Sequence, residues 1–487
     1  MAQAPVVPGA LLLDAQGLNQ QPALQPVPVA SREGGEGHVG SRLAASPSGP
    51  TPSPTTPEGI DCYGNERQAL GNMAKFFNTA KLSDIILKVG SSRFFAHKLV
   101  LVRASDVFER MLSVDWSDPT KKELELVEEA VCVEVFPRFL RFLYSCHINL
   151  TLDNTLPILI LADKYNVEDL RLVCINFACT YIIPKLQLKD VFHTWFQYAT
   201  KGTCHQKLVV SSVKALSERM DDIMLSAEWD QEWVSLDKDQ LIEILRSSDL
   251  MVKDEYELWK AVLKWLHSPS HHSRTVQQMA LLTELMVHIR FPMMSPDQLT
   301  AIETSSLAQQ FPELFQPYCL MAYKYHALPL TSRSAIREFY SASFLMRNYT
   351  DLRWDKRLAI ASLSEVQKGT EVSLRFSTRA STFPAQTWEW ELKVHPKGFS
   401  STAEDFRVSL CSNLILDQPR PVEYWLSVVG RDRIIHTVSG KKNFSKTRYT
   451  MDTEMDKKIS VSDLSCPNST LLVDDALIFQ IVIKPVE

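Results

Sequence analysis

The sequence predicts a multidomain α+β protein: a disordered N-terminal tail, an α/β domain, an all-α helical domain and a C-terminal all-β sandwich, in that order. Three observations carry the prediction. Residues 82–112 string together two strand patterns, a short turn and an amphipathic helical stripe. From about residue 130 to residue 325 apolar residues recur at helical spacing between capping signals. Beyond residue 331 the period changes to two, as in Trp388, Trp390, Leu392 and Val394, which alternate with Glu389, Glu391 and Lys393.

Each element follows in order. Residues 1–60 are rich in Pro, Ser, Gly and Ala with few aromatics to pack, and are expected to be disordered. Within them Ser46-Pro47, Thr51-Pro52, Ser53-Pro54 and Thr56-Pro57 fit proline-directed phosphorylation, or a plain flexible tail. The α/β domain spans residues 65–181. Leu70, Met73, Ala74 and Phe77 fall on one helical stripe ahead of the first strand, in which Ile85, Leu87 and Val89 alternate. Gly90-Ser91-Ser92 turns the chain into a second strand, and Ala104, Val107, Phe108 and Met111 mark one following helix. After a polar loop at residues 114–122, Glu123 to Val127 can form a strand. Three stripes follow: Phe136, Phe139, Leu140 and Leu143; then Ile158, Leu161, Ala162 and Tyr165, with Asp153 or Asn154 as N-cap; then Leu170, Val173, Cys174, Phe177 and Tyr181.

The helical domain spans residues 186–325. Asp254 and Glu257 have capping-box spacing, and Ser295-Pro296-Asp297-Gln298 places a capping Ser, a Pro at the first helical position and Gln at the third. Residues 331–370 read as a connecting segment. The sandwich, residues 371–487, is read from the alternation at Trp388–Val394, from Phe406, Val408 and Leu410, and from Phe479, Ile481 and Ile483.

Composition narrows the function. The chain has 487 residues, enough for about three ordinary domains. It is 45% hydrophobic, its mean hydropathy is −0.10, and no run approaches the ~20 apolar residues that span a bilayer. The first residues are apolar but carry no basic region, and Pro5 and Pro8 interrupt them, so no signal peptide is expected. The nine cysteines include no CxxC pair and read as buried thiols of a reducing compartment rather than a disulfide or zinc framework. A net charge of −5, with Lys121-Lys122, Lys441-Lys442 and Lys457-Lys458 dispersed, disfavours nucleic acid as a partner. No membrane partner is expected either. The sequence holds no GxSxG, HExxH, Walker A or GxGxxG motif, so no catalytic residue and no cofactor is assigned. His267, His271 and His272 surround Ser268-Pro269-Ser270 and read as a solvated loop, not a metal site. His97 is expected to pack and hydrogen-bond at a strand-to-helix junction.

Several phrases resemble known families. Leu82-Ser83-Asp84, Ala96-His97-Lys98, RFLYS (141–145) and LADKYNVEDL (161–170) resemble a BTB/POZ domain. SDLMVKDEYELWKAVLKWL (248–266) and IRFPMMSPDQL (289–299) resemble the BACK domain that follows BTB in many adaptors. WELKVHPKGFSS (390–401), FRVSL (406–410) and LLVDDALIFQIVI (471–483) resemble a MATH (TRAF-like) domain. As a whole the chain resembles the BTB-BACK group that includes galectin-3-binding-protein-like members.

The resemblance implies a cytoplasmic, non-enzymatic homodimer that recruits protein substrates to a cullin-3 RING ubiquitin ligase. The dimer would form across the first helix, through Leu70, Met73 and Phe77. Cullin-3-binding BTB domains place a hydrophobic residue two positions ahead of a glutamate, and Trp116-Ser117-Asp118 stands here with Asp for Glu. Trp116 would anchor cullin-3 or, alternatively, cap the BTB core. Leu188, Val191, Phe192 and Trp195 share a helical stripe that would line a groove for a cullin tail or pack internally. The resemblance leaves open an extracellular or membrane-associated oligomerising glycoprotein, and a BTB scaffold unconnected to ubiquitin.

Overall fold

A computed structural model describes residues 64–113, 122–201, 205–380, 387–399, 405–412, 420–444, 449–466 and 468–486. The expected tail, residues 1–60, lies outside them. In the α/β domain the elements are α1 (Glu66–Ala74), β1 (Ile85–Val89), β2 (Ser92–Ala96), α2 (Lys98–Ala104), α3 (Asp106–Leu112), β3 (Glu123–Leu126), α4 (Ala130–Ser145), α5 (Leu152–Lys164) and α6 (Glu168–Phe177). β1 is central, antiparallel to β2 and parallel to β3, with Leu87 opposite both Phe94 and Leu124. A parallel pair needs a crossover, which α2 and α3 supply. Gly90 makes the β1–β2 turn at φ 57°, and a Cβ there would crowd Val133 at 3.2 Å.

The helix expected after β2 is two helices. Ser105 takes an extended conformation, accepts the Phe108 N–H and donates to the Tyr165 carbonyl, so it ends α2 and caps α3. Phe108 then stacks on Tyr165 with ring centroids 4.6 Å apart. The cap of α5 is also corrected. Thr151 accepts the Asn154 N–H and Asn154 returns the bond, which excludes Asp153 and Asn154 as N-cap. His97 sits as expected, with Nδ1 2.9 Å from the Tyr144 hydroxyl and Nε2 2.8 Å from the Lys81 carbonyl.

The helical domain contains α7 (Gln206–Ser217), α8 (Lys238–Arg246), the short strand β4 (Met251–Val252), α9 (Glu255–Leu266), α10 (Pro296–Glu303) and α11 (Pro312–Ala327), among shorter turns. Asp254 caps α9 by accepting the Glu257 N–H, and Ser295 and Gln298 close a full capping box on α10. Buried Trp233 and Trp265 donate their indole N–H groups to the Ala261 and Leu236 carbonyls.

Beyond α11, β5 (Asn348–Tyr349) pairs parallel with β4. The sandwich then comprises β6 (Asp355–Ile360), β7 (Val372–Arg379), β8 (Thr387–His395), β9 (Arg407–Ser412), β10 (Arg420–Val429), β11 (Ile434–Phe444), β12 (Tyr449–Asp452) and β13 (Leu477–Pro485). One sheet has the order β11-β10-β13-β6 and the other β12-β9-β8-β7. The sandwich therefore takes an edge strand, β6, from the segment read as a connection, and begins ahead of residue 371.

β13 is not the half-buried strand its alternation suggested. Phe479, Ile481 and Ile483 face the opposing sheet, while Ile478 and Val482 on its other side join the apolar core of the helical domain together with Trp425 and Val429 of β10. The docking is specified by polar contacts as well. Gln480 donates to the Phe344 carbonyl at 3.1 Å and accepts the Met346 N–H at 3.0 Å. Glu423 accepts the N–H groups of Leu330 and Thr331. Residues from Asn65 onward thus form one compact unit.

Candidate interaction surfaces

The first surface lies at α1. Asn65 caps the helix by accepting the Gln68 N–H, yet no residue of α1 is buried. Leu70 is half-buried, and Met73, Phe76 and Phe77 rest on the core of the α/β domain. Phe77 lies beyond the helix end, its ring edge-on to Tyr144 at 6.1 Å, so it joins the stripe through a turn rather than a helical position. Close in the chain, Leu82 and Leu99 are about as open as they could be, at 77% and 79% exposed. Among the described residues these two side chains leave apolar surface open.

The second surface lies where the α/β and helical domains meet. After α6 the backbone widens into a π-helical turn, Ala178–Ile182, and tightens into a 3-10 turn, Ile183–Lys185. Leu152, Phe177, Tyr181, Ile182, Lys185 and Leu186 line a groove of about 410 Å3 there. Tyr181 leans on Phe177 with its ring tilted, centroids 5.3 Å apart, and remains 56% exposed. The junction is braced from behind by Asp163, which accepts the Tyr198 hydroxyl and pairs with His205 Nε2 at 2.7 Å.

The stripe read as a groove packs inward. Val191, Phe192 and Trp195 are buried, with Phe192 edge-on to Trp229 at 5.9 Å, and only Leu188 is half-buried. Its members fill the helical core, and the groove is lined instead by the residues before them, from Phe177 to Leu186. Periodicity reports a buried face, not which burial is intramolecular. Trp116, Ser117 and Asp118 lie outside the described residues.

Chemistry is sparse. No group of three His, Cys, Asp or Glu side chains that could hold a metal occurs among the described residues. Cys132, Cys174 and Cys319 are unbridged buried thiols; burial pushes them up to about 11, 12 and 11, which keeps them protonated and unreactive. Cys146 and Cys466 are unbridged and exposed. No helix among the described residues is long and apolar enough to cross a membrane.

Comparison with known proteins fits this architecture. The BTB/POZ domain family matches residues 73–182, the BACK (BTB And C-terminal Kelch) family residues 193–303, and the BTBD17 TRAF domain residues 344–404. BTB/POZ domain-containing protein 17 of Xenopus laevis is 25% identical over 413 residues, covering 80% of this chain and 83% of that protein. The Homo sapiens protein of the same name is 24% identical, covering 87% and 89%. Kelch-like protein 3 of Rattus norvegicus is 25% identical over 301 residues, 59% of this chain and 48% of its own length. Among solved structures, the BTB domain of zebrafish PATZ1 matches 24% of this chain at 23% identity, with a TM-score of 0.20. The TRAF match begins before β6, in keeping with the sandwich's early start. In this order the chain carries a BTB/POZ domain, a BACK domain and a C-terminal segment similar to the BTBD17 TRAF domain.

Proposed function

We propose that this protein is a homodimeric, non-enzymatic adaptor that binds cullin-3 through its BTB and BACK domains and brings protein substrates to the ligase. The observation that supports the reading is the open apolar groove at the BTB–BACK junction, lined by Leu152, Phe177, Tyr181 and Leu186 just ahead of the first BACK helices, for which the family resemblance implies a groove that takes an extended cullin tail. Trp116-Ser117-Asp118 would supply the second contact. The exposed strip around α1 supplies the dimer interface, and a dimer places two substrate sites near two ligase arms, raising effective concentration. Unbridged thiols at Cys146 and Cys466, both exposed, support a cytoplasmic, reducing setting.

Calorimetric titration of the full chain with the cullin-3 N-terminal domain tests this. Trp116→Ala is expected to weaken binding by about 2 kcal/mol, roughly thirtyfold, as hot-spot truncations do. Tyr181→Asp, at an exposed site, is expected to weaken it at least tenfold without unfolding the protein. No heat of binding from folded wild-type protein would overturn the ligase assignment and leave a scaffold.

A further inference from the structure

The sandwich does not dock flush on the helical domain. Along the seam, α7, α8 and the segment around Leu345 face the β10–β11 hairpin across a partly open cavity of about 420 Å3. Its wall includes Val209, Val213, Leu345, Met346, Val429 and Ile478, all buried. Protein interiors are close-packed, and a void of this size with an apolar wall and a few polar groups falls in the ~300–1,000 Å3 range of ligand sites. A second, open groove of about 700 Å3 lies on the other side of the hairpin tip. The two are neighbours along both chains that build them: Ala342 and Asp432 line the first, Ser341 and Arg433 the second.

Charge says what kind of ligand fits. Together the two cavities are lined by seven Lys or Arg and four Asp or Glu; Arg290 is buried, and among the exposed groups Asp432 offsets one of the cations, leaving a modest positive excess on a chain of net charge −5. Three of the cations are consumed locally: Arg246 by Glu243 at 2.7 Å, Arg357 by Asp249 at 2.9 Å and Arg431 by Asp474 at 2.6 Å. Lys214, Arg337 and Arg433 are exposed and make no ion pair among the described residues. β11, which runs from the hairpin, is the edge of its sheet, so alternate backbone N–H and C=O groups point away from β10.

We propose that this seam is a peptide-binding cleft, which takes a large apolar side chain into the cavity and flanking acidic residues onto Lys214, Arg337 and Arg433. As the site where clients are recognised, it rests on the adaptor reading above. The cleft exists only because the sandwich docks on BACK, so neither domain alone would present it.

The test is fluorescence anisotropy of the full chain with a short dye-labelled peptide bearing a central Phe among Glu residues. Comparison peptides carry Lys for Glu, or Ala for Phe. The acidic Phe peptide is expected to bind saturably and to weaken with salt. Arg337→Glu combined with Arg433→Glu, both on the surface, is expected to reduce its affinity at least tenfold. Val210→Trp, which narrows the cavity mouth from a partly exposed position, is expected to reduce it independently. Equal binding of acidic and basic peptides, retention of binding by both variants, or no saturable binding overturns the proposal. Titrating the same samples with the cullin-3 N-terminal domain separates the failures. Cullin binding without peptide binding rejects the cleft and keeps the adaptor; the reverse keeps the cleft and rejects the ligase link.

Discussion

At the scale of single residues, Glu255 holds the seam between BACK and the sandwich. It is fully buried with Arg347, whose guanidinium lies 3.0 Å from its Oε2, and it also accepts the Tyr349 hydroxyl at 2.7 Å and the Arg290 N–H at 2.9 Å. Burial alone would raise its pKa, but the Arg347 and Arg290 charges outweigh it and hold the carboxyl below its ordinary value. Glu255→Ala strands buried arginines, and urea denaturation is expected to show a loss of about 3–5 kcal/mol. Because the folded pKa is depressed, the carboxylate's contribution is present above the ordinary glutamate range and is lost as pH falls through the lowered value. His326 adds a second acid sensitivity. Burial pushes it down to about 4, although its Nε2 contacts the Met294 carbonyl at 2.7 Å. Unfolding lets the ring take up a proton, so its contribution is complete above its ordinary value of 6.5 and lost as pH falls towards about 4. Between about pH 7 and 5 the wild type is expected to lose on the order of 1–2 kcal/mol more than His326→Gln, measured by denaturation at each pH.

At the scale of elements, local patterns were legible wherever their cause is local. Ile85, Leu87 and Val89 face one core and alternate; Ser295 and Gln298 close a box within one turn. The break at Ser105 was under-read: Ser105 caps α3 locally by accepting the Phe108 N–H, while its bond to the distant Tyr165 carbonyl could not be seen in the sequence. Ser105→Ala removes both the cap and that bond and is expected to cost about 1–2 kcal/mol by thermal or urea denaturation, while Ser105→Thr retains much of it. For Leu188, Val191, Phe192 and Trp195 the sequence left two readings, a groove and internal packing, because nothing in a stripe says whether its partner is the same molecule; the structure buries the last three. For β13 the signal was present and under-read. Leu477 to Ile483 is apolar except at Gln480, the pattern of a strand covered on both faces, and the second cover is BACK.

At the scale of the whole molecule, the sandwich is a fixed part of the body rather than a tethered module. Its outer sheet shares apolar core with BACK through Trp425, which faces Tyr325 at 6.1 Å, and through Ile478 and Val482. A chain ending at Tyr340 would strip that face bare and lose Arg347 from Glu255. It is expected to aggregate or to melt well below the full chain in scanning calorimetry; a soluble truncated protein with unchanged melting temperature would contradict the shared core. The α1 strip sits at the other kind of boundary. Met73→Asp with Phe77→Asp is expected to give a monomer or an insoluble product, and Leu99→Asp, which disturbs no buried contact, a soluble monomer by light scattering. A soluble Leu99→Asp dimer would move the interface elsewhere.

The strand order of the docked sheet also sets the timing of assembly. β6 has one ladder partner, β13, with Ile360 opposite Leu477, and every strand of the opposing sheet is synthesised between them. Until β13 emerges, β6 lacks the ladder partner it has among the described residues, and the BACK face that Ile478 and Val482 cover stands open. Closing so long a loop is slow, and exposed apolar faces invite wrong partners meanwhile. The last strand therefore works as a keystone, closing its own sheet and covering BACK in one step.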